Sequence, residues 1–175
     1  MTHPIWKLFL DGTDTPVPWI DHKPNTRFSI YNPGGTSTPA DDVVLDKETG
    51  LIWPRNANVK GIALNWLDAN TTCRELKIVN RTGWRLPTVE ELSSLIDTRL
   101  TNPALPTGHP FVGVQFGPGV WPYWTSTNYE NPSAAAWFVN LGSGGAGLAA
   151  KGGSPQPLGF VWPVRGGRGG VNWNW

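Results

Sequence analysis

The chain has a single cysteine, Cys73, among 175 residues, so no intrachain disulfide can form and packing alone has to hold the fold. Charge is scarce too. Lysine, arginine, aspartate and glutamate make up 15% of the residues and balance to a formal charge of +1, which leaves no broad basic footprint for a nucleic acid. No apolar run reaches the roughly 18 residues that would cross a bilayer. Met1 to Leu10 lacks the sustained apolar stretch and small-residue cleavage site of a secretory signal. If the chain acts outside a cell, either a signal has been trimmed from it or it leaves by another route, on a phage particle or by host lysis.

Catalytic patterns are missing as well. His3, His22 and His109 stand far apart, with no His-x-x-x-His pair and no Cys/His spacing for zinc. The Gly-rich run from Gly142 to Gly153 has no Lys-Ser/Thr after it and is no P-loop. No Gly-x-Ser-x-Gly nucleophile elbow occurs. The chain is therefore read as non-enzymatic and without a cofactor. Asp41, Asp42 and Asp46 form a small acidic cluster that reads as a solvated turn, with calcium as the other reading and no motif to support it.

What the chain has is glycine (21), proline (17) and tryptophan (11). The first two point to turns and loops between short strands. Tryptophans bury much area each, so most of them belong to a core, while glycan sites use exposed Trp and Tyr as stacking plates. Residues 1–41 carry many prolines and one short apolar run, Ile5 to Leu10, and read as an arm that wraps the domain, meets a neighbouring protomer or tethers to an assembly. Residues 42–167 read as the domain and 168–175 as a Gly/Trp tail. Val43 to Leu45 and Leu51 to Trp53 flank Asp46-Lys47-Glu48-Thr49-Gly50 and predict a hairpin with Gly50 at positive φ.

Two helices are predicted, over 61–77 and 88–98. The first has Leu64, Leu67 and Cys73 sharing part of a face, with the thiol buried. The second starts at Thr88, where Glu91 three residues on completes a capping box, and Leu92, Leu95 and Ile96 recur at helical spacing. Residues 101–122 read as a long ordered loop. Strands are predicted over 123–127, 136–141 and 160–165, with Trp124, Trp137 and Trp162 in the core. Tyr129-Glu130-Asn131-Pro132 and Gly142-Ser143-Gly144-Gly145 are polar or Gly-rich and let a polar ligand approach the backbone.

The order of motifs also carries a resemblance. Val43-Val44-Leu45-Asp46-Lys47-Glu48-Thr49-Gly50-Leu51-Ile52-Trp53, Trp66, Cys73 and Gly83-Trp84-Arg85-Leu86-Pro87-Thr88 resemble the opening half of the Lcl C-terminal domain family, named for the last domain of a bacterial collagen-like adhesin. Tyr123-Trp124-Thr125-Ser126-Thr127, Ala136-Trp137-Phe138-Val139-Asn140 and Val161-Trp162-Pro163-Val164-Arg165-Gly166-Gly167 resemble its closing half. The resemblance implies an α+β, C-type-lectin-like fold, with two helices packed on short antiparallel strands and long irregular loops. It also implies kinship with the formylglycine-generating enzyme superfamily. Those enzymes use a pair of cysteines, which this chain lacks. The Glu-Pro-Asn and Trp-Asn-Asp triplets that hold calcium and sugar in C-type lectins proper are absent, and the nearest run, Glu130-Asn131-Pro132, has a different order.

The function expected from this is an extracellular, cell-surface or virion-borne binding module. Its ligand is a surface polysaccharide or sulfated glycan, with Trp121, Tyr123 and Tyr129 stacking and Asn131, Lys151 and Gln156 supplying hydrogen bonds or charge. Two alternatives stand beside it. One is an assembly protein whose arm and Trp tail hold a homo-oligomer, the alternating Asn-Trp end adding a strand to a sheet edge or a partner. The other is a protein-receptor binder of the kind that diversity-generating retroelements vary.

Overall fold

The computed structural model describes residues 19–33, 42–129, 134–152 and 155–166. The Ile5 to Leu10 run, Asp41, the Glu130-Asn131-Pro132 triplet and the tail from 168 onward lie outside the described residues. Seven strands and two helices are present among the described residues, as a four-stranded and a three-stranded antiparallel sheet.

The first sheet has the order β1 (Ile20–Asp21), β2 (Phe28–Tyr31), β3 (Val43–Asp46), β4 (Leu51–Pro54). The predicted hairpin is β3 and β4, with Val44 opposite Trp53 and Gly50 at φ 72°. Residues 19–33, read as part of the arm, wrap onto this hairpin as β1 and β2. Phe28 there is buried in the main core. The acidic turn is not solvated. Asp46 is buried and takes Arg27 Nε at 2.8 Å and Nη2 at 2.6 Å, while Asp42 is buried against Arg55 at 2.8 Å. Each carboxylate has exchanged water for a guanidinium, which makes burial tolerable.

Helix α1 (Trp66–Glu75) is shorter than the predicted 61–77. Leu64 is held in an extended pairing with Gly159, and the Asn65 side chain caps the helix by accepting from Asp68 N–H at 2.9 Å. The buried face is Ala69 and Cys73, one turn apart, while Leu67 points to solvent. Helix α2 (Val89–Ser93) starts where predicted, with both bonds of the capping box formed between Thr88 and Glu91. It ends five residues earlier than predicted. Past Ser93 the chain tightens, with Leu95 N–H bonding Leu92 O and Ile96 N–H bonding Ser93 O, so Leu95 and Ile96 keep a helical spacing without the helix.

The second sheet is β5 (Tyr123–Asn128), β6 (Ala135–Val139) and β7 (Ala146–Ala150), in that order. Here the prediction fails for one strand. The third member is β7, inside the Gly-rich stretch read as a connection, because Gly147 lies opposite Phe138 and its missing side chain makes room for the ring. Residues 159–165 instead cross from sheet to sheet. Phe160 pairs with Tyr123, Val164 with Arg85 and Arg165 with Ile52, and Pro163 has no N–H to offer a regular ladder.

The two faces of the β5-β6-β7 sheet feed different clusters. Tyr123, Val139 and Leu141 join Trp53, Phe111, Trp162, Leu92 of α2 and Leu95 just after it in the main core, while Trp124 and Ala136 pack against Ala69 and Cys73 of α1. Trp124 and Trp162 are core as predicted, but Trp137 is only half-buried, because its cross-strand partner Leu148 is itself exposed. The 101–122 loop is ordered and contributes Leu105 and Phe111 to the main core.

Candidate functional site

Tyr123 is not a stacking plate. It is fully buried, and its hydroxyl accepts a 2.8 Å bond from Gln115 N–H. Burial pushes its pKa up, against the opposing Gln115 bond, so the phenol stays neutral and works as a peg. What it pegs is the loop that carries two exposed aromatics, Phe116 (39% exposed) and Trp121 (48% exposed). Three glycines at positive φ, Gly113, Gly117 and Gly119, give this loop its turns.

Two other loops meet it. Asn102 N–H donates to Gly142 O at 2.9 Å and Ala104 N–H to Leu141 O at 2.7 Å, tying residues 102–104 to 141–142. A Cβ on Gly142 would lie 3.2 Å from both Asn102 Oδ1 and Gly117 N. Any side chain there would push these neighbours back by a few tenths of an ångström. Asn140 Oδ1 accepts from the N–H groups of Gly142 and Ser143, which closes the third loop. The result is that the loop carrying Phe116 and Trp121 is tied next to the loops of Asn102 and Ser143, which are themselves exposed.

The five predicted site residues that the structure describes are not brought together. Trp121 precedes β5 and Tyr129 follows it, and six intervening strand residues hold them roughly 20 Å or more apart. Gln156, exposed, precedes Gly159 and Phe160, whose parallel pairing with Tyr123 puts it on the Trp121 side. Tyr129 (42% exposed) and Lys151 lie at the opposite end, where Tyr129 N–H bonds Ala135 O and Lys151 N–H bonds Ala134 O. The Lys151 ammonium sits 4.3 Å from the centre of the Trp66 ring, a cation–π contact that fixes its charge. Trp66 in turn donates from Nε1 to Thr125 O at 2.8 Å. Asn131 lies outside the described residues.

Sequence reasoning passed over Phe116, although a phenylalanine between Gly113, Gly117 and Gly119 is a signal for an aromatic displayed on a turn. It also passed over a cleft of about 370 Å³ bordered by Arg27, Glu48, Asp97 and Arg99. The charges there satisfy one another: Arg27 pairs with Asp46 and Glu48, and Arg99 with Asp97, whose pKa the Arg99 hydrogen bonds hold down to about 2. Cys73 is buried and burial pushes its thiol up to about 12, so it carries no thiolate at neutral pH. Among the described residues no three His, Cys, Asp or Glu side chains are grouped to hold a metal ion, and no helix is long and apolar enough to cross a membrane.

Comparison with known proteins adds one finding. The family model described as the Lcl C-terminal domain matches residues 42–165, from β3 to the Arg165 pairing with β4. No curated protein matches the chain.

Proposed function

The chain belongs to the Lcl C-terminal domain family, and from that premise we propose that it is a non-enzymatic, adhesin-type module with a C-type-lectin-like fold that binds a surface glycan outside the cell or on a virion. The observation that carries the reading is the loop surface of Trp121 and Phe116, held open by the Tyr123 peg. A sugar ring's C–H face is a fitting cover for an exposed indole. Asn102, Ser143 and Gln156 are exposed at the same end of the sheet and offer neutral hydrogen-bonding groups, which suit hydroxyls. Lys151, at the other end of β5, offers one cation to a sulfate on a longer chain. A single shallow site of this kind binds weakly, so display in several copies raises retention.

The test is retention of the purified protein on immobilised polysaccharides, including heparin-like sulfated chains, with and without calcium. Trp121→Ala should cut retention at least tenfold with an unchanged melting temperature, because the side chain removed is half in solvent. Lys151→Ala should weaken sulfated chains only. Equal retention by wild type and Trp121→Ala would remove the loop surface from consideration.

A further inference from the structure

The seam between the loop of Phe116 and the loop of Asn102 holds a donor and an acceptor that do not bond each other. The point where a Cβ would stand on Gly142 lies 3.2 Å from Gly117 N and 3.2 Å from Asn102 Oδ1, so these two atoms are at most two such distances apart. Among the described residues neither the Gly117 N–H nor the Asn102 side chain has a hydrogen-bond partner. Asn140 Oδ1, 3.0 Å from the same point, already accepts from Gly142 and Ser143 N–H. Gly142 is buried at the base of the seam, Gly117 is half-buried and Asn102 is exposed.

Both open groups are held in place by the chain alone. Asn102 has φ 52°, a left-handed conformation that asparagine tolerates, and its N–H is bound to Gly142 O at 2.9 Å. Gly117 stands between two anchors, Gln115 N–H on the Tyr123 hydroxyl at 2.8 Å and Val120 N–H on Gly117 O at 3.3 Å. A ligand therefore has little ordering to impose. Phe116, 39% exposed, precedes Gly117 directly and brings an apolar ring to the donor's side of the seam. Asn102, Phe116, Gly117, Gly142 and Ser143 carry no charge.

We propose that this seam is the polar half of the carbohydrate subsite and takes two neighbouring hydroxyls of a neutral sugar, one accepting from Gly117 N–H and the other donating to Asn102 Oδ1, with the Phe116 ring against a C–H face. The inference rests on the glycan reading above and deepens it, because it makes the primary ligand an uncharged sugar. An N–H and an amide oxygen left open at a surface hold water, and a hydroxyl that displaces such a water reproduces its bonds. Hydroxyls on adjacent carbons supply an acceptor and a donor over a short span. A sulfate has acceptor oxygens only and is best met by a cation, whereas the seam presents an amide oxygen and no charge.

NMR titration of isotope-labelled protein with the methyl glycosides of glucose, galactose, mannose and fucose, one at a time, tests it. At least one should shift the Gly117 amide and the Asn102 side-chain NH2 signals saturably. Asn102→Gly, which removes the side chain and accepts the positive φ, should weaken that glycoside at least tenfold. Gly142→Ala should do the same, since its Cβ would occupy the seam, and both variants should keep wild-type signals away from the three loops. An analogue of the bound glycoside that lacks one of the paired hydroxyls should lose a similar factor. Four glycosides that leave the Gly117 amide unmoved, or an affinity indifferent to Asn102→Gly, would overturn the proposal. The glycan reading has a separate outcome: a polysaccharide retained by wild type and lost on Trp121→Ala sustains it even if the Gly117 amide stays still, whereas silence from every polysaccharide removes both.

Discussion

Arg85 joins more separate parts of the domain than any neighbour in its motif. Its backbone exchanges two hydrogen bonds with Val164, and its guanidinium reaches both Glu91 carboxylate oxygens at 2.7 Å and Gly166 O at 2.8 Å. Burial alone would raise the Glu91 pKa, but the Arg85 and Thr88 N–H bonds outweigh it and the net shift is downward. A carboxylate with a lowered folded pKa contributes stability that is complete above its unfolded pKa near 4.5 and is lost as pH falls through the folded value. Glu91→Gln should cost about 1–3 kcal/mol at pH 7, since Arg85 loses a charged partner. The difference between variant and wild type should shrink below pH 4 in urea titrations, and a difference constant with pH would contradict the ion-pair account. The sequence exposed half of this device. Thr88 and Glu91 announce the capping box by their spacing, but the Arg85 contact depends on which face of Glu91 remains free, and spacing alone does not say.

Among the elements, β1 and β2 were hidden inside the proline-rich arm, and β7 was hidden for a chemical reason. Alanine and glycine have low strand propensity, and a glycine-rich neighbourhood reads as a turn. The strand exists because β6 supplies Phe138, whose ring lies over Gly147. A Cβ placed on Gly147 would stand 2.6 Å from Phe138 Cζ. Gly147→Val should therefore push the ring off the Trp124–Ala136 cluster and lower stability by about 1–3 kcal/mol. A melt at the wild-type temperature would show that the ring has room to move. The reverse error occurred at 160–165, where alternating aromatics imitate a strand but partners change every few residues. Helix ends misled for a similar reason: Leu64 and Leu95 have helical spacing, and contacts from distant parts of the chain give them other conformations.

In the molecule as a whole, Trp162 is the meeting point of the two sheets. Its ring lies 5.4 Å from Trp53, 4.8 Å from Phe111 and 5.8 Å from Tyr123, and its Nε1 donates to Pro54 O. Trp162→Ala should cost about 3–5 kcal/mol, a large part of the 5–15 kcal/mol that a domain possesses in total. Soluble yield should fall sharply, and a variant purified in wild-type amounts with a wild-type urea midpoint would contradict this reading of the core. Composition announced a tryptophan core, which exists, and among the described residues Trp121 is the one tryptophan left largely exposed. It could not tell that β5 separates Trp121 from Tyr129, because a list of aromatic residues has no geometry until the strand between them is laid down.

The crossing segment 159–165 also sets a schedule. It touches Leu64, Tyr123, Arg85 and Ile52 in succession, so β4, the start of α1 and the edge of β5 all wait for a partner made long after them. On a ribosome the earlier elements emerge with their mating surfaces bare, and such distant pairings form slowly. The domain therefore closes as one late event once residues 159–165 are free of the exit tunnel.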